Sequence, residues 1–267
     1  MKILTIIQAR MSSSRLPGKV MMPILSKPLL LRMIERVQIA KFAGQLVIAT
    51  STNSDDDEIE RLCGSNNLIC YRGHLTDLLD RHYQAAKKIG ADAVVKIPSD
   101  CPLIDPQIID EVIKYFIDNY DKYDFVSNLH PATYPDGNDV EIFSFTALEK
   151  AWMEADKQLE REHTTPYFWE NPDKFKIGNV VWKTGFDYST THRWTIDFEE
   201  DYQFIKKVYE ELYENKPDFG LYDILNLLGS KPEIGLINNK YLGKYWYEKH
   251  LDELKHIDEY KDKLKNK

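Results

Sequence analysis

Short apolar runs alternate with segments of helical periodicity over about the first 120 residues, and this alternation constrains the fold more than any other feature of the chain. It predicts a mainly parallel sheet with helices on both faces and right-handed crossovers. Strands are predicted over residues 2–8, 45–50, 68–72, 93–98, 124–128, 140–145, 178–183 and 192–197. Helices are predicted over residues 28–41, 75–89, 105–120 and 199–214. Because ligands of such folds bind beyond the carboxyl ends of strands, we expect functional residues directly after them.

Length and composition limit the function further. A chain of 267 residues can form one large α/β domain or two small ones. We predict a single domain over residues 1–240, followed by a charged, helical C-terminal appendage over residues 241–267. The net charge of −8 excludes a general binder of nucleic acid or anionic membranes, because such binders need a basic surface. Three cysteines without a CxxC pair argue against a disulfide framework and a structural zinc site.

The N-terminus begins directly with a strand-like run and shows no signal-peptide pattern. No apolar run approaches the roughly 18–20 residues that span a bilayer. We therefore expect a soluble, cytoplasmic protein.

The residues that follow the first strand form a loop rich in hydrogen-bond donors. Residues 8–19 contain two arginines, a lysine, three serines and a glycine. The backbone amides of such a loop can surround an anion, and its cations can neutralise a triphosphate. The loop is not a Walker A motif, because the upstream glycine is missing and Val20 replaces the Ser/Thr. Composition alone allows a solvated basic loop, but the position after the first strand favours phosphate binding.

Two acidic residues are predicted to lie between a strand and a helix. Asp100 precedes a proline-defined turn, where a carboxylate can hold Mg²⁺. The alternative is a turn or cap residue, a role that fits Asp105 better. Asp197 could be a second magnesium ligand, although its own segment favours an ordinary helix-capping role. Cys101 is more typical of a packed side chain than of a nucleophile.

Three further polar segments are weaker candidates. Residues 72–81 follow the third strand and could line a base or ribose pocket. Residues 134–141 read as a turn leading into a strand with two acids on one face, and residues 161–165 cluster polar groups. For each of them, composition alone favours a solvated surface. The acidic run 55–58 could suggest the DxD motif of glycosyltransferases, but an acidic first helical turn explains it more simply.

Together these segments resemble the CMP-sugar synthetases that act on Kdo and acylneuraminate, and in particular the spore-coat polysaccharide (SpsF-type) cytidylyltransferase branch. The resemblance spans residues 1 to about 205 and is carried by Ile7-Gln8-Ala9-Arg10, Ser14-Arg15-Leu16-Pro17-Gly18-Lys19, Tyr71-Arg72-Gly73, Asp100-Cys101-Pro102-Leu103-Ile104-Asp105-Pro106, Tyr134-Pro135-Asp136-Gly137, Asp139-Val140-Glu141, Arg161-Glu162-His163 and Arg193-Trp194-Thr195-Ile196-Asp197. It implies a three-layer αβα, Rossmann-like fold of the nucleotide-diphospho-sugar transferase type. It also implies CTP as donor, Mg²⁺ as cofactor and a homodimer, since relatives are often dimers.

The resemblance also implies roles for individual residues. Arg10, Arg15 and Lys19 match the positions that grip the triphosphate, and Asp100 and Asp197 match the pair of metal-binding aspartates. The predicted catalytic residues are Arg10, Lys19, Asp100 and Asp197. The predicted nucleotide-binding residues are Ala9, Arg10, Ser14, Arg15, Gly18, Lys19, Arg72, Asp77 and Asp100. The predicted acceptor-binding residues are Asp139, Glu141, Arg161, His163 and Arg193.

The predicted reaction is attack of an acceptor oxygen on the α-phosphorus of CTP, with pyrophosphate leaving in line. The acceptor is a sugar acid, giving a CMP-sugar, or a sugar phosphate, giving a CDP-sugar, for surface polysaccharide or glycan biosynthesis. Residues 72–81 occupy the place of the cytosine-reading loop, and their sequence differs from that loop in the Kdo and acylneuraminate enzymes.

Two other functions are weighed against this one. A nucleotide-sugar-dependent glycosyltransferase with a GT-A-like fold has less need of the basic loop, because no pyrophosphate leaves from it. A catalytically idle nucleotide-binding module is disfavoured by the presence of both acids and all three cations.

Overall fold

A seven-stranded sheet forms the centre of the protein in the computed structural model, which describes residues 1–244, 248 and 250–256. The strands in chain order are β1 (Ile3–Gln8), β2 (Pro23–Ile24), β3 (Lys27–Pro28), β4 (Gln45–Ser51), β5 (Ile69–Gly73), β6 (Ala93–Pro98), β7 (Phe125–Ser127), β8 (Glu141–Ser144) and β9 (Ile177–Asn179). The short strands β2 and β3 form a separate hairpin, and the sheet has the order β5-β4-β1-β6-β8-β7-β9. Strand β8 is antiparallel to both neighbours, and the other neighbouring pairs of the sheet are parallel.

Helices connect these strands and cover the sheet. They are α1 (Leu29–Ile39), α2 (Asp57–Ser65), α3 (Leu78–Ile89), α4 (Pro106–Asp118), α5 (Phe145–Glu154), α6 (Gln158–His163), α7 (Pro166–Trp169), α8 (Glu199–Leu212), α9 (Leu221–Ser230) and α10 (Pro232–Gly235). The four predicted helices correspond to α1, α3, α4 and α8, with ends that differ by a few residues. None of the described helices is both long enough and apolar enough to cross a membrane.

Alternate residues of β1 point to opposite faces of the sheet, and both faces are buried. Ile3 and Ile7 belong to the core formed with α1, α4 and α8. Leu4 and Ile6 belong to a second core formed with α3 and α5. Helices on both faces of a mainly parallel sheet make the three-layer αβα fold, and the predicted fold class is confirmed.

Three parallel strands bring the first loop and Asp100 to one edge of the sheet. Strand β1 pairs with β4 on one side and with β6 on the other, and Gln8 lies opposite both Ala49 and Pro98. The chain leaving β1 and the chain leaving β6 therefore emerge side by side. This carboxyl edge is where α/β sheets bind ligands.

The strand predicted over residues 192–197 is wrong. That segment makes one isolated bridge, to Asp136. In this bridge the amide of Trp194 donates to the carbonyl of Asp136 at 2.8 Å, and the amide of Ile196 donates to a loop carbonyl, that of Asp100, at 2.9 Å. Trp194 and Ile196 are buried, since the segment covers the carboxyl edge instead of joining the sheet. The strand predicted over residues 178–183 is also too long, because β9 ends at Asn179.

Among the described C-terminal residues, Tyr241, Glu248 and His250 are in a 3-10 helical conformation and residues 251–253 form a turn. This segment is attached to the domain, because Leu254 is buried in the core formed with α3 and α5. The amides of Lys255 and His256 both donate to the carboxylate of Glu170, at 2.8 Å. The rest of the appendage prediction lies outside the described residues, at 245–247, 249 and 257–267.

Candidate active site

A cavity of about 330 Å³ lies at the carboxyl edge of β1 and β6. Its wall is formed mainly by the loop after β1, the residues after β6, the turn before β8 and the segment before α8. The predicted site residues that line it are Ala9, Arg10, Ser14, Arg15, Lys19, Asp100, Asp139, Glu141, His163, Arg193 and Asp197. Residues far apart in the chain thus share one cavity, and their individual roles stay predictions.

The loop after β1 is folded around Met11. The amides of Ser13 and Gly18 donate to the Met11 carbonyl at 3.0 and 2.9 Å, and the Met11 amide donates to the Asp56 carboxylate at 2.7 Å. Gly18 has a φ of +71°, a conformation that glycine adopts without a steric penalty. Gly18 is not among the residues that line the cavity, and the structure gives it a turn role; its nucleotide contact stays a prediction.

Part of the same loop is suited to an anion. Arg10, Ser14 and Arg15 line the cavity, and their backbone amides donate to no acceptor in the described part of the chain. The guanidinium of Arg10 likewise forms no ion pair with any described residue. Free amides beside a free cation are the groups that bind phosphate at strand-to-helix loops.

Lys19 lies between the two predicted metal ligands. Its Nζ is 3.6 Å from Asp100 Oδ2 and 3.1 Å from Asp197 Oδ1. Arg15 Nη2 lies 2.6 Å from the same oxygen of Asp197. Burial alone would raise the pKa of Asp197, but the charges of Lys19 and Arg15 outweigh burial and lower that pKa below its usual value. Asp197 is therefore ionised at neutral pH.

Asp197 does not cap helix α8. The carboxylate of Asp201 accepts hydrogen bonds from the amides of Asp197 and Phe198, at 3.0 and 3.1 Å. Asp201 thus binds the amides that precede the first turn, and the Asp197 carboxylate is directed to cations. The helix-capping alternative for Asp197 is wrong for this reason.

Arg193 joins the carboxylates on this side of the cavity. Its side chain is 2% exposed, and its nitrogens lie 3.0 Å from Asp201, 3.3 Å from Asp136 and 3.2 Å from Asp197. Burial alone would lower the pKa of Arg193, but the hydrogen bond with Asp201 and the charge of Asp136 raise it. Because all of its nitrogens are already bonded, Arg193 is placed to hold acids in position, which argues against its predicted role in acceptor binding.

The turn before β8 packs directly on the segment that carries Arg193. A Cβ atom at Gly137 would lie 2.7 Å from the carbonyl carbon of Trp194 and 2.8 Å from the amide nitrogen of Thr195. Gly137 also has a φ of +102°, which disfavours other residues. The close approach explains why a glycine follows Asp136 here.

A pair of opposite charges lines the cavity between β6 and β8. Lys96 lies opposite Glu141 in the antiparallel register, and its Nζ donates to the Glu141 carboxylate. Loss of contact with water, followed by the charges of Asp100 and Glu141, raises the pKa of Asp139 to about 7. The Glu141 carboxylate is therefore ion-paired with Lys96, whereas Asp139 can gain or lose a proton near neutral pH.

Arg72, predicted to bind the nucleotide, lies away from the cavity. Its Nε donates to the carbonyl of Ser51 at 2.9 Å, and its Nη1 pairs with Asp57 and Glu60 at 2.6 and 2.7 Å. These contacts hold the end of β5 against α2. Arg81, from α3, reaches the cavity instead.

Asp77 and Arg161 bind each other and do not line the cavity. Asp77 caps α3 by accepting from the Asp80 amide at 2.8 Å. Its other oxygen accepts from Arg161 Nε and Nη2, at 2.8 and 2.6 Å. The pair joins α3 to α6, which gives both residues a structural role; the nucleotide contact of Asp77 and the acceptor contact of Arg161 stay predictions.

The chain matches a known family over most of its length. The sequence model of the cytidylyltransferase family matches residues 4–223. The chain belongs to this family. As a cytidylyltransferase it is a CTP-dependent nucleotidyltransferase, and the family and enzyme class implied by the resemblance are confirmed.

Individual relatives support this membership. The cytidylyltransferase is 34% identical over 252 residues to an uncharacterized protein of Methanocaldococcus jannaschii, with 93% of this chain and 99% of that protein covered. It is 31% identical over 236 residues to the spore coat polysaccharide biosynthesis protein SpsF of Bacillus subtilis, with 86% and 95% covered. A solved cytidylyltransferase from Leptospira borgpetersenii serovar Hardjo-bovis is similar at a TM-score of 0.83 and 35% identity, with 88% and 97% covered.

Several cavity residues of the cytidylyltransferase were not singled out individually, although Gln8, Arg81 and Asp136 lie in segments that the sequence analysis named as candidates. They include Gln8, Arg81, Lys96, Asp136 and Lys244. Arg81 lies three residues after Leu78 on α3, so helical periodicity alone could have placed both on one face. The pairing of Lys96 depends on the register of β6 and β8, which no local pattern reveals.

The structure changes the expected effect of removing Arg161. Arg161→Ala should lower the free energy of unfolding by about 1–2 kcal/mol, because a partly exposed charge-assisted hydrogen-bond pair is lost. The KM values for CTP and acceptor should stay near those of the wild type. Urea denaturation and steady-state kinetics measure the two effects, with Lys114→Ala, in an exposed helical pair with Asp118, as control. If Arg161→Ala raises the KM for the acceptor but not the KM for CTP, Arg161 contributes to acceptor binding as the sequence predicts.

Proposed function

We propose that this cytidylyltransferase transfers a cytidylyl group from CTP to an oxygen of a sugar acid or sugar phosphate, releasing pyrophosphate, in surface polysaccharide or glycan biosynthesis. The observation that carries the proposal is the loop after β1, whose cations and free amides meet Asp100 and Asp197 at one cavity. A leaving pyrophosphate needs concentrated positive charge, which favours nucleotidyl transfer over glycosyl transfer from a finished nucleotide sugar.

The triphosphate fits the loop after β1. The amides of Arg10, Ser14 and Arg15 and the Arg10 guanidinium are available to phosphate oxygens. Arg15 and Lys19 can add their charge, because both already lie at the cavity beside Asp197. In the reaction these groups bind the β- and γ-phosphates and stabilise the charge that develops on pyrophosphate.

The two aspartates fit a hard divalent cation. Both present carboxylate oxygens to one position, now faced by the Lys19 ammonium, and Mg²⁺ prefers such oxygens. In the described part of the chain no group of three or more His, Cys, Asp or Glu could hold a metal. Asp100 and Asp197 would therefore hold Mg²⁺ together with phosphate and water oxygens. When bound, Mg²⁺ supplies Lewis-acid polarisation of the phosphate.

Nucleotide binding gives the first test. CTP with Mg²⁺, at about 100 times its Kd, should raise Tm by about 5 °C or more, because a ligand that binds only the folded state stabilises it. UTP, GTP and ATP should raise Tm less. Arg10→Met should reduce the CTP shift, whereas Arg61→Met, on the exposed face of α2, should not. If UTP or GTP stabilises the protein more than CTP does, the assignment of cytosine as the bound base is wrong. If no nucleotide raises Tm, the proposed function is wrong.

The reaction itself is tested by pyrophosphate release. Each of the four nucleoside triphosphates is combined with a panel of sugar acids and sugar phosphates. Release that requires CTP and one acceptor class identifies the product as a CMP- or CDP-linked compound. Transfer of sugar from a nucleotide sugar, without pyrophosphate release, would contradict the proposal.

A further inference from the structure

The chain between Asn238 and Lys244 is fixed against the wall of the cavity. Asn238 is 2% exposed, and its Nδ2 donates to the carbonyl of Arg193 at 2.9 Å. The ring of Tyr241 stacks on Phe198 with 3.9 Å between centroids. The carbonyl of Lys244 accepts from Arg193 Nη1 at 3.0 Å. These contacts hold Lys244 beside the buried arginine that positions the acids.

Lys244 is among the residues that line the cavity. Its Nζ lies 5.1 Å from the centre of the Tyr241 ring, and it forms no ion pair with a carboxylate of the described residues. Lys240, four residues earlier, differs, since it pairs with Glu200 at 2.5 Å and does not line the cavity. Lys244 therefore offers an unneutralised charge to a ligand.

The other cavity cations divide into two groups. Arg15, Lys19, Lys96 and Arg193 are paired with acids. Arg10 and Arg81 have no carboxylate partner among the described residues, but they come from the loop after β1 and from α3. Lys244 is the corresponding unpaired cation next to Arg193.

The acceptor faces a strongly acidic wall. Asp100, Asp136, Asp139 and Asp197 all line the cavity near Arg193, and each of them that is ionised repels a carboxylate or a phosphate. An anionic acceptor therefore needs a cation on that wall that is not already neutralised. We infer that Lys244 binds the anionic group of the acceptor, a carboxylate or a phosphate. The inference rests on the proposed function and assigns a segment that follows the residues matched by the family model, 4–223, to the active site.

The test uses the full chain with CTP and Mg²⁺ bound, and the probes are inorganic phosphate and acetate. Isothermal titration should show that one of them binds the CTP-loaded wild type. Lys244→Met should weaken that binding by about 10-fold or more, the order expected for one charge-assisted hydrogen bond. Lys244→Arg should retain most of the binding, and Lys240→Met should be unchanged. Stronger binding of acetate indicates a sugar acid as acceptor, and stronger binding of phosphate indicates a sugar phosphate.

The titration of CTP alone separates this inference from the proposed function. CTP should bind Lys244→Met with the affinity of the wild type, because the triphosphate is held by the opposite loop. If CTP binds but the two anions bind wild type and Lys244→Met equally, or bind neither, Lys244 does not hold the acceptor. A weaker CTP affinity in Lys244→Met would place the lysine at the triphosphate instead. Failure of the wild type to bind CTP would overturn the proposed function itself.

Discussion

Asp100→Asn and Asp197→Asn should each lower turnover by about 10²-fold or more, the size of effect seen when one electrostatic stabiliser is removed from an active site. Either change keeps the size of the side chain and removes the charge that holds a hard cation. Both acids also face Lys19, at 3.6 and 3.1 Å, so either change disturbs the balance of charge around that ammonium. Pyrophosphate release at saturating CTP and Mg²⁺ measures the loss.

The same two changes should differ in their effect on stability. The Asp100 side chain is 32% exposed, and among the described residues its only ion pair is the 3.6 Å contact with Lys19. Asp100→Asn should therefore leave the free energy of unfolding nearly unchanged. The Asp197 side chain is 12% exposed and contacts Arg15, Lys19 and Arg193. Asp197→Asn should therefore cost about 1–3 kcal/mol, the range for a lost hydrogen bond to a charged group.

The double variant tests whether the two acids act as one unit. Residues that serve one function are non-additive, so the double variant should lose much less activity than the product of the single losses. Asp118→Asn, which breaks an exposed pair with Lys114, is the matched control and should be fully active. Single losses that simply multiply would show two independent roles. A fully active Asp197→Asn would remove that residue from the proposed metal site.

The fold and the first half of the site follow from local sequence patterns. Strands β1, β4 and β6 are apolar runs bounded by polar turns, and parallel strands must end at a common edge. Position alone therefore brought the loop after β1 and Asp100 together. The Cys101 side chain is buried as predicted, and Asp105 caps α4 by accepting from the Gln107 amide at 2.7 Å.

Local sequence patterns did not predict the contacts between segments that are distant in the chain. Residues 192–197 alternate apolar and polar side chains as a strand does, yet they cover the sheet edge. Residues 193–197 are all buried, so the alternation does not mark one buried and one exposed face, and it does not reveal which element supplies the burial. Arg161 likewise stood among polar residues, but its partner Asp77 is 84 positions away in the chain. Such ion pairs depend on how helices pack, and no spacing in the sequence encodes them.

Arg193→Met should produce the largest loss of stability, about 3–5 kcal/mol, the cost of removing one partner from a buried ion-pair network. Arg193 is 2% exposed on its side chain and Asp201 is fully enclosed, so the acid would be left without its counter-charge. Arg193→Lys should lose less stability than Arg193→Met but more than the control, because lysine keeps the charge but cannot make the bidentate contacts of the guanidinium. Arg72→Met is the control, since its acidic partners are half exposed and an exposed pair contributes about 1 kcal/mol or less.

The pH dependence of this loss separates a charge effect from a packing effect. Burial raises the pKa of Asp136 well above its usual value, and the charge of Arg193 opposes that rise. Without Arg193 the folded-state pKa values of Asp136 and its neighbours rise further above their unfolded values. A carboxyl group whose pKa is higher in the folded state than in the unfolded state binds more protons in the folded state. The free energy of unfolding of the variant should therefore fall as pH increases. Urea unfolding of Arg193→Met should therefore show a smaller deficit relative to wild type at pH 5 than at pH 8. An equal deficit at both values would mean that Arg193 stabilises the fold through packing alone.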